Sequence, residues 1–152
     1  MRSWQVYFLV LTLCGLAAIT IPWVYHQKQV LTETALSQNE NLWLGKQPSS
    51  YSLRILVNDG GPPSQWNIRV GSGKILAVSK DGQFQANEAG DRFLPTPFFG
   101  EMRQWLEYLK KDEKPPFVGV QFHPQLGYPL RAVLRRKSPV QRLEIQMVLE
   151  AS

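Results

Sequence analysis

The sequence is short of the residues from which metal, redox and nucleophilic centres are built. Its 152 residues include one cysteine, Cys14, and two histidines, His26 and His123. A single cysteine excludes an internal disulfide framework and a cysteine-cluster metal site. Two histidines leave few ways to assemble a His-based zinc or catalytic centre. Charged residues are also sparse at 19%, while hydrophobic residues reach 43%, enough for a core and too many for a disordered chain. The length suits one compact domain. Lys and Arg outnumber Asp and Glu by 17 to 12, a net charge of +5 that favours anionic partners. No RNA- or DNA-binding motif and no aromatic–basic repeat points to nucleic acid.

Charge is missing altogether from one long run. Val6 to Val24 carries no charged side chain. As a helix its nineteen residues would be about 29 Å long, close to the ~30 Å hydrocarbon thickness of a bilayer. Trp4, Trp23 and Tyr25 stand at its ends, where amphipathic rings suit the headgroup region. Residues 1–26 therefore read as a single-pass transmembrane signal-anchor in a cytoplasmic membrane. A weak positive-inside bias puts the C-terminal part on the extracytoplasmic side. Two other readings compete. Gly15 and Ala17 are small residues placed for signal-peptide cleavage near Ala17. Cys14 invites lipidation, but Leu13 stands where a lipoprotein signal needs a small residue, which leaves Cys14 a small apolar thiol.

Residues 27–46 are polar, with Leu31, Ala35 and Leu42 at helical offsets, and predict a juxtamembrane connector helix ending by Gly45. Pro48-Ser49-Ser50 breaks it, and residues 47–152 then form a small α+β domain. Tyr51, Leu53, Ile55 and Val57 alternate with Ser52, Arg54 and Leu56, as a half-buried strand does. Trp66, Ile68 and Val70 begin a hairpin that turns at Gly71-Ser72-Gly73, and residues 81–95 read as a long loop. Thr96 and Pro97 supply a helix N-cap and first position, followed by an apolar stripe of Phe98, Met102, Trp105, Leu106 and Leu109. Three further alternating segments follow, around Val118–His123, Leu130–Arg135 and Leu143–Leu149. The predicted fold is an N-terminal transmembrane helix followed by a two-layer α+β domain: an antiparallel sheet of about six strands covered on one face by one helix.

No set of residues amounts to a reaction centre, so no enzyme, cofactor or metal is expected. Gly71-Ser72-Gly73-Lys74 lacks the upstream glycine, the following Ser or Thr and the helix of a phosphate-binding loop. Arg103–Glu107 and Glu107–Lys111, at four-residue spacing, read as ordinary surface pairs. One constellation stands out. Arg54, Arg69, Arg131 and Arg135 all fall on the strand face opposite the helix, with Gln121, His123 and Gln146. Such a face suits an acidic protein partner, an anionic envelope polymer or anionic headgroups; the alternative is a solvated face whose arginine stems cover apolar strand. Trp66, Phe98, Phe99 and Trp105 supply aromatics for a ligand groove between helix and loop, or for the core.

An aromatic-led entry strand (Trp43, eight residues before Tyr51), a Gly-containing hairpin, one amphipathic helix and then the run Val118 to Leu134, VGVQFHPQLGYPLRAVL, together resemble a family of small bacterial cell-envelope domains of unknown function. These carry a lipoprotein signal or membrane anchor. The resemblance spans about residues 36 to 149, with the Gly127-Tyr128-Pro129 turn its most recognisable part. The chain departs from it in lacking an acceptable lipobox and in its basic residues after Pro129. The resemblance implies an envelope location and no activity. The expected role is a membrane-anchored binding or adaptor domain, an accessory subunit of an envelope complex. The alternative is a secreted or anchored small-ligand-binding domain cleaved near Ala17.

Overall fold

Alternation of apolar and polar residues builds the sheet. In strand β1 (Ser50–Asn58), Tyr51, Leu53, Ile55 and Val57 are buried on one side while Ser52, Arg54 and Leu56 face the other. The strands β2 (Ser64–Gly71), β3 (Lys74–Lys80), β5 (Phe117–Phe122), β6 (Pro129–Lys137) and β7 (Val140–Ala151) join it, with a short β4 (Gln83–Gln85); β2 keeps the alternation, whereas β5 buries Val118, Gly119 and Val120 in succession. The computed structural model describes residues 4, 7–16, 18, 30–111, 115–137 and 140–151. They fall into two units, Met1–Val30 and Leu31–Ser152.

In the larger unit all neighbouring strands are antiparallel, in the order β4-β3-β2-β1-β7-β6-β5. Two meanders, β1 to β4 and β5 to β7, thus meet where β1 pairs with β7. The β3–β4 hairpin turns on Asp81-Gly82, both at positive φ (51° and 83°), the mirror-image turn whose twist matches the strands it joins. Asp81 also accepts a hydrogen bond from the Gln65 N–H through Oδ1 at 2.8 Å.

The chain must cross from the β4 edge to the β5 edge, and it does so over the apolar face. A 3₁₀ segment (Asn87–Phe93) leads into helix α2 (Pro95–Lys111), whose 17 residues give about 25 Å. Six interstrand spacings of ~4.8 Å make the sheet about 29 Å wide, so this one helix nearly spans it. Pro95, Phe98, Phe99, Met102, Trp105 and Leu106 are its buried residues. A second helix, α1 (Glu33–Lys46), starts where Thr32 Oγ1 accepts from the Ala35 N–H at 3.2 Å. It lies antiparallel to α2: Glu33 pairs with Lys110 at 3.3 Å, Glu40 pairs with Arg103, and Trp43 Nε1 donates to Thr96 Oγ1 at 3.2 Å.

Only Leu36 and Trp43 of α1 are buried, but both are fully enclosed. Trp43 meets Tyr51 and Tyr128 edge-on, at centroid separations of 5.7 and 6.0 Å. The turn before β6 is shaped to receive this helix. Gly127 has φ +79°, and a Cβ there would lie 2.3 Å from the Asn39 carbonyl oxygen and 3.0 Å from the Trp43 nitrogen. Tyr128 is buried, and its hydroxyl accepts from the Leu149 N–H at 3.3 Å on β7. The Gly127-Tyr128-Pro129 turn is thus the socket in which α1 sits.

Several expectations are corrected here. No helix among the described residues is long and apolar enough to cross a membrane. That finding corrects the transmembrane anchor expected over 1–26, and with it the single-pass, signal-anchor reading. Trp23, Tyr25 and the alternative cleavage point at Ala17 lie outside the described residues. The sheet has seven strands rather than about six, because the expected long loop holds β4 and the 3₁₀ segment. Two α-helices, not one, cover it. The expected connector helix over 27–46 is α1, inside the compact unit Leu31–Ser152. Helix α2 begins at Pro95, before the expected cap, and Thr96 instead holds Trp43. Arg103 and Glu107 pair with Glu40 and Lys110, not with the partners four residues away.

Candidate functional site

With α1 and α2 on one side, no described helix of the unit Leu31–Ser152 covers the other side of the sheet, and the strand register determines what stands on it. Phe117, Arg135 and Arg142 form one cross-strand rung; Gln121, Arg131, Gln146 and Leu56 form another. On the other half, Val148, Arg54, Asn67, Ser79 and Phe84 share a rung, and Glu150, Ser52, Arg69 and Ala77 the next. Arg54, Arg69, Arg131 and Arg135 are therefore brought to one face, together with Gln121 and Gln146.

His123 is not brought there. It follows the end of β5 and stacks on Tyr128, centroids 5.0 Å apart, while its Nδ1 accepts from the Gln125 and Leu126 N–H groups at 3.3 and 3.1 Å. The side chain shapes the turn that seats α1. Alternation placed it on the polar face because its strand was read one residue too long.

The face is less basic than its arginine count. Glu144 is almost fully buried, 7% exposed, between Arg131 (2.7 Å) and Arg142 (2.8 Å), and also accepts from Gln146 Nε2 at 3.1 Å. Burial alone would raise its pKa, but the hydrogen bonds from Arg142, Arg131 and Gln146 and the Arg131 charge outweigh it and hold the carboxyl below its ordinary value. Glu150 likewise engages Arg54 at 2.9 Å, with both side chains exposed. Arg69 and Arg135 have no acidic partner among the described residues, and both are exposed. Sequence reading placed Glu144 on a polar strand face but did not pair it, since the pairing depends on the β6–β7 register.

Between the rungs on β1 to β4 lies a hollow of about 280 Å³, lined by Arg54, Asn67, Arg69, Ser79, Phe84 and Glu150 among others. The aromatic groove expected between helix and loop is not there. Trp66, Phe98, Phe99 and Trp105 are 8, 0, 0 and 5% exposed and belong to the core. Gly71-Ser72-Gly73-Lys74 is a hairpin turn. Among the described residues no group of three His, Cys, Asp or Glu side chains could hold a metal ion.

Fold and face together define a two-layer domain with one helix-covered and one open sheet face. No protein-family model and no curated protein sequence matches the chain. One similar solved chain belongs to a complex of MucA and MucB from Pseudomonas aeruginosa, at 14% identity and a TM-score of 0.42, over 78% of this chain and 58% of that one. The chain thus spans less than two thirds of that neighbour's length, and a likeness at this level carries no argument about fold or function.

Proposed function

We propose that the chain is a non-enzymatic binding domain, an accessory or adaptor subunit, whose open sheet face docks an acidic protein partner. The supporting observation is that Arg69 and Arg135, on either side of β1 and β7, stand exposed without acidic partners among the described residues, on a face that neither α1 nor α2 covers. Leu56 and Val148, 40% and 50% exposed, give that face apolar ground between them. An acidic segment laid across it would supply the missing counter-charges and cover the apolar side chains. A polyanionic polymer fits less well, because Glu144 and Glu150 fix negative charge on the same face. The resemblance of residues 118–129 to small bacterial cell-envelope domains supports seeking the partner in the envelope.

The test is crosslinking in intact cells with the tagged full-length chain, comparing the unaltered protein with Arg69→Glu/Arg135→Glu. A defined partner recovered by the former and lost from the latter, at unchanged thermal stability, is the expected result. Equal recovery by both chains overturns the reading.

A further inference from the structure

The open face is uneven, and the unevenness follows from side-chain size. On its two adjoining rungs the short Ser52, Ala77 and Ser79 stand among the long Arg54, Arg69 and Phe84. The space left between them is the hollow of about 280 Å³. Beside it, the β2–β3 register shifts between Arg69 and Val70, so that Leu76 is an extra residue on β3. Such a bulge bends a strand and re-aims the side chains next to it.

The groups around the hollow differ in what they lack. Arg54 already holds Glu150, whereas Arg69 holds no acid among the described residues. Asn67 accepts from Gln65 through its Oδ1 at 3.4 Å, which leaves its amide N–H groups directed to other partners. Phe84, on the edge strand, is 87% exposed, more than any other large apolar side chain described. An unpaired guanidinium, spare amide donors and a bare aromatic ring within one hollow are complementary to a carboxylate with an apolar neighbour. The volume lies just below the ~300 to 1,000 Å³ of small-molecule sites, and suits one or two side chains of a longer partner.

Building on the docking reading above, we infer that this hollow is the partner's anchor point. It takes an Asp or Glu side chain of an extended segment, held by Arg69 with Asn67 as a second donor, while an apolar residue of the same segment packs on Phe84. Arg69 on β2 and Phe84 on β4 are two interstrand steps and one rung apart, about 12 Å, which an extended chain covers in four residues at ~3.4 Å each with both end side chains on the same face. The recognised pattern is therefore an acidic and an apolar residue four positions apart.

The experiment measures fluorescence anisotropy of a labelled hexapeptide with Glu and Leu four residues apart, titrated with the full-length chain, against the same peptide with Gln for Glu. The acidic peptide is expected to bind and the Gln peptide to bind at least tenfold more weakly. Arg69→Gln is expected to weaken binding about tenfold, the order of one charge-assisted contact, and Phe84→Ala several-fold. Arg135→Gln, on the far half of the face, is expected to change it less than twofold. Equal losses from Arg69→Gln and Arg135→Gln overturn the anchor while leaving a diffusely basic docking face intact. Absence of binding to either peptide, with partner capture in cells still dependent on Arg69 and Arg135, overturns the anchor alone. Loss of both results overturns the docking reading as well.

Discussion

The two faces of the sheet are made by the same strands and obey different rules. On the inner face, contacts are apolar and enclosed: Trp43, Phe98, Phe99 and Met102 are all at 0% exposure, and α1 is locked by a glycine turn that fits against its backbone. On the open face, the contacts are ionic and differ with depth. Glu144, at 7% exposure, is gripped by two arginines and a glutamine, while the Arg54–Glu150 pair is more than half in water on both sides. The inner face thus carries the stability, and the open face can vary its charge at little thermodynamic cost. A binding surface needs that freedom.

Substitutions can break or sharpen this contrast. Trp43→Ala removes the largest enclosed side chain and is expected to cost about 3–5 kcal/mol in denaturant unfolding, from lost burial and the cavity left behind. Gly127→Ala is expected to cost about 2–4 kcal/mol in the same measurement, since the new methyl group meets the Asn39 carbonyl and the backbone is left-handed there. Were it neutral, the turn would not be the socket of α1. Glu144→Ala is expected to cost about 1–2 kcal/mol, less than a fully buried pair because Arg131 and Arg142 are half in water and regain hydration.

Glu144 also carries a pH signature. Its folded-state value is lowered, so its contribution to stability is fully present above the ordinary carboxylate value and is lost as pH falls through the folded value. Urea unfolding across the acid range should therefore show a steeper decline for the unaltered chain than for Glu144→Gln. The smallest effect is expected from Arg54→Ala, below about 0.5 kcal/mol by thermal unfolding, as for other exposed ion pairs. A loss as large as that of Glu144→Ala would erase the difference in depth between the two ion-pair sites.

Much of the inner face was legible from one-dimensional periodicity. Tyr51 to Val57 alternate as they must in a half-buried strand, and Phe98, Met102, Trp105 and Leu106 mark the buried stripe of α2. The place of α1 was not legible, since its buried surface rests on two residues seven positions apart, too few to set a period. Strand β4 is only three residues long, although Asp81-Gly82, a strong hairpin signal, was there to mark it. The N-terminal apolar run shows the opposite failure: hydropathy and length alone suggested a membrane span that the described helices do not provide.

For the candidate site, alternation by itself placed Arg54, Arg69, Arg131 and Arg135 on one strand face, because side-chain direction has a period of two and needs no knowledge of neighbours. Which of those charges remain unpaired was decided only by the fold. Arg131 meets Glu144 across the β6–β7 hairpin, and Arg54 meets Glu150 across the β1–β7 junction, 96 residues away in the chain. The hollow beside Phe84 likewise exists only once four strands have aligned short side chains between long ones. Periodicity is local and can be read along the chain. Charge pairing and hollows depend on register between distant segments, which the packed core imposes.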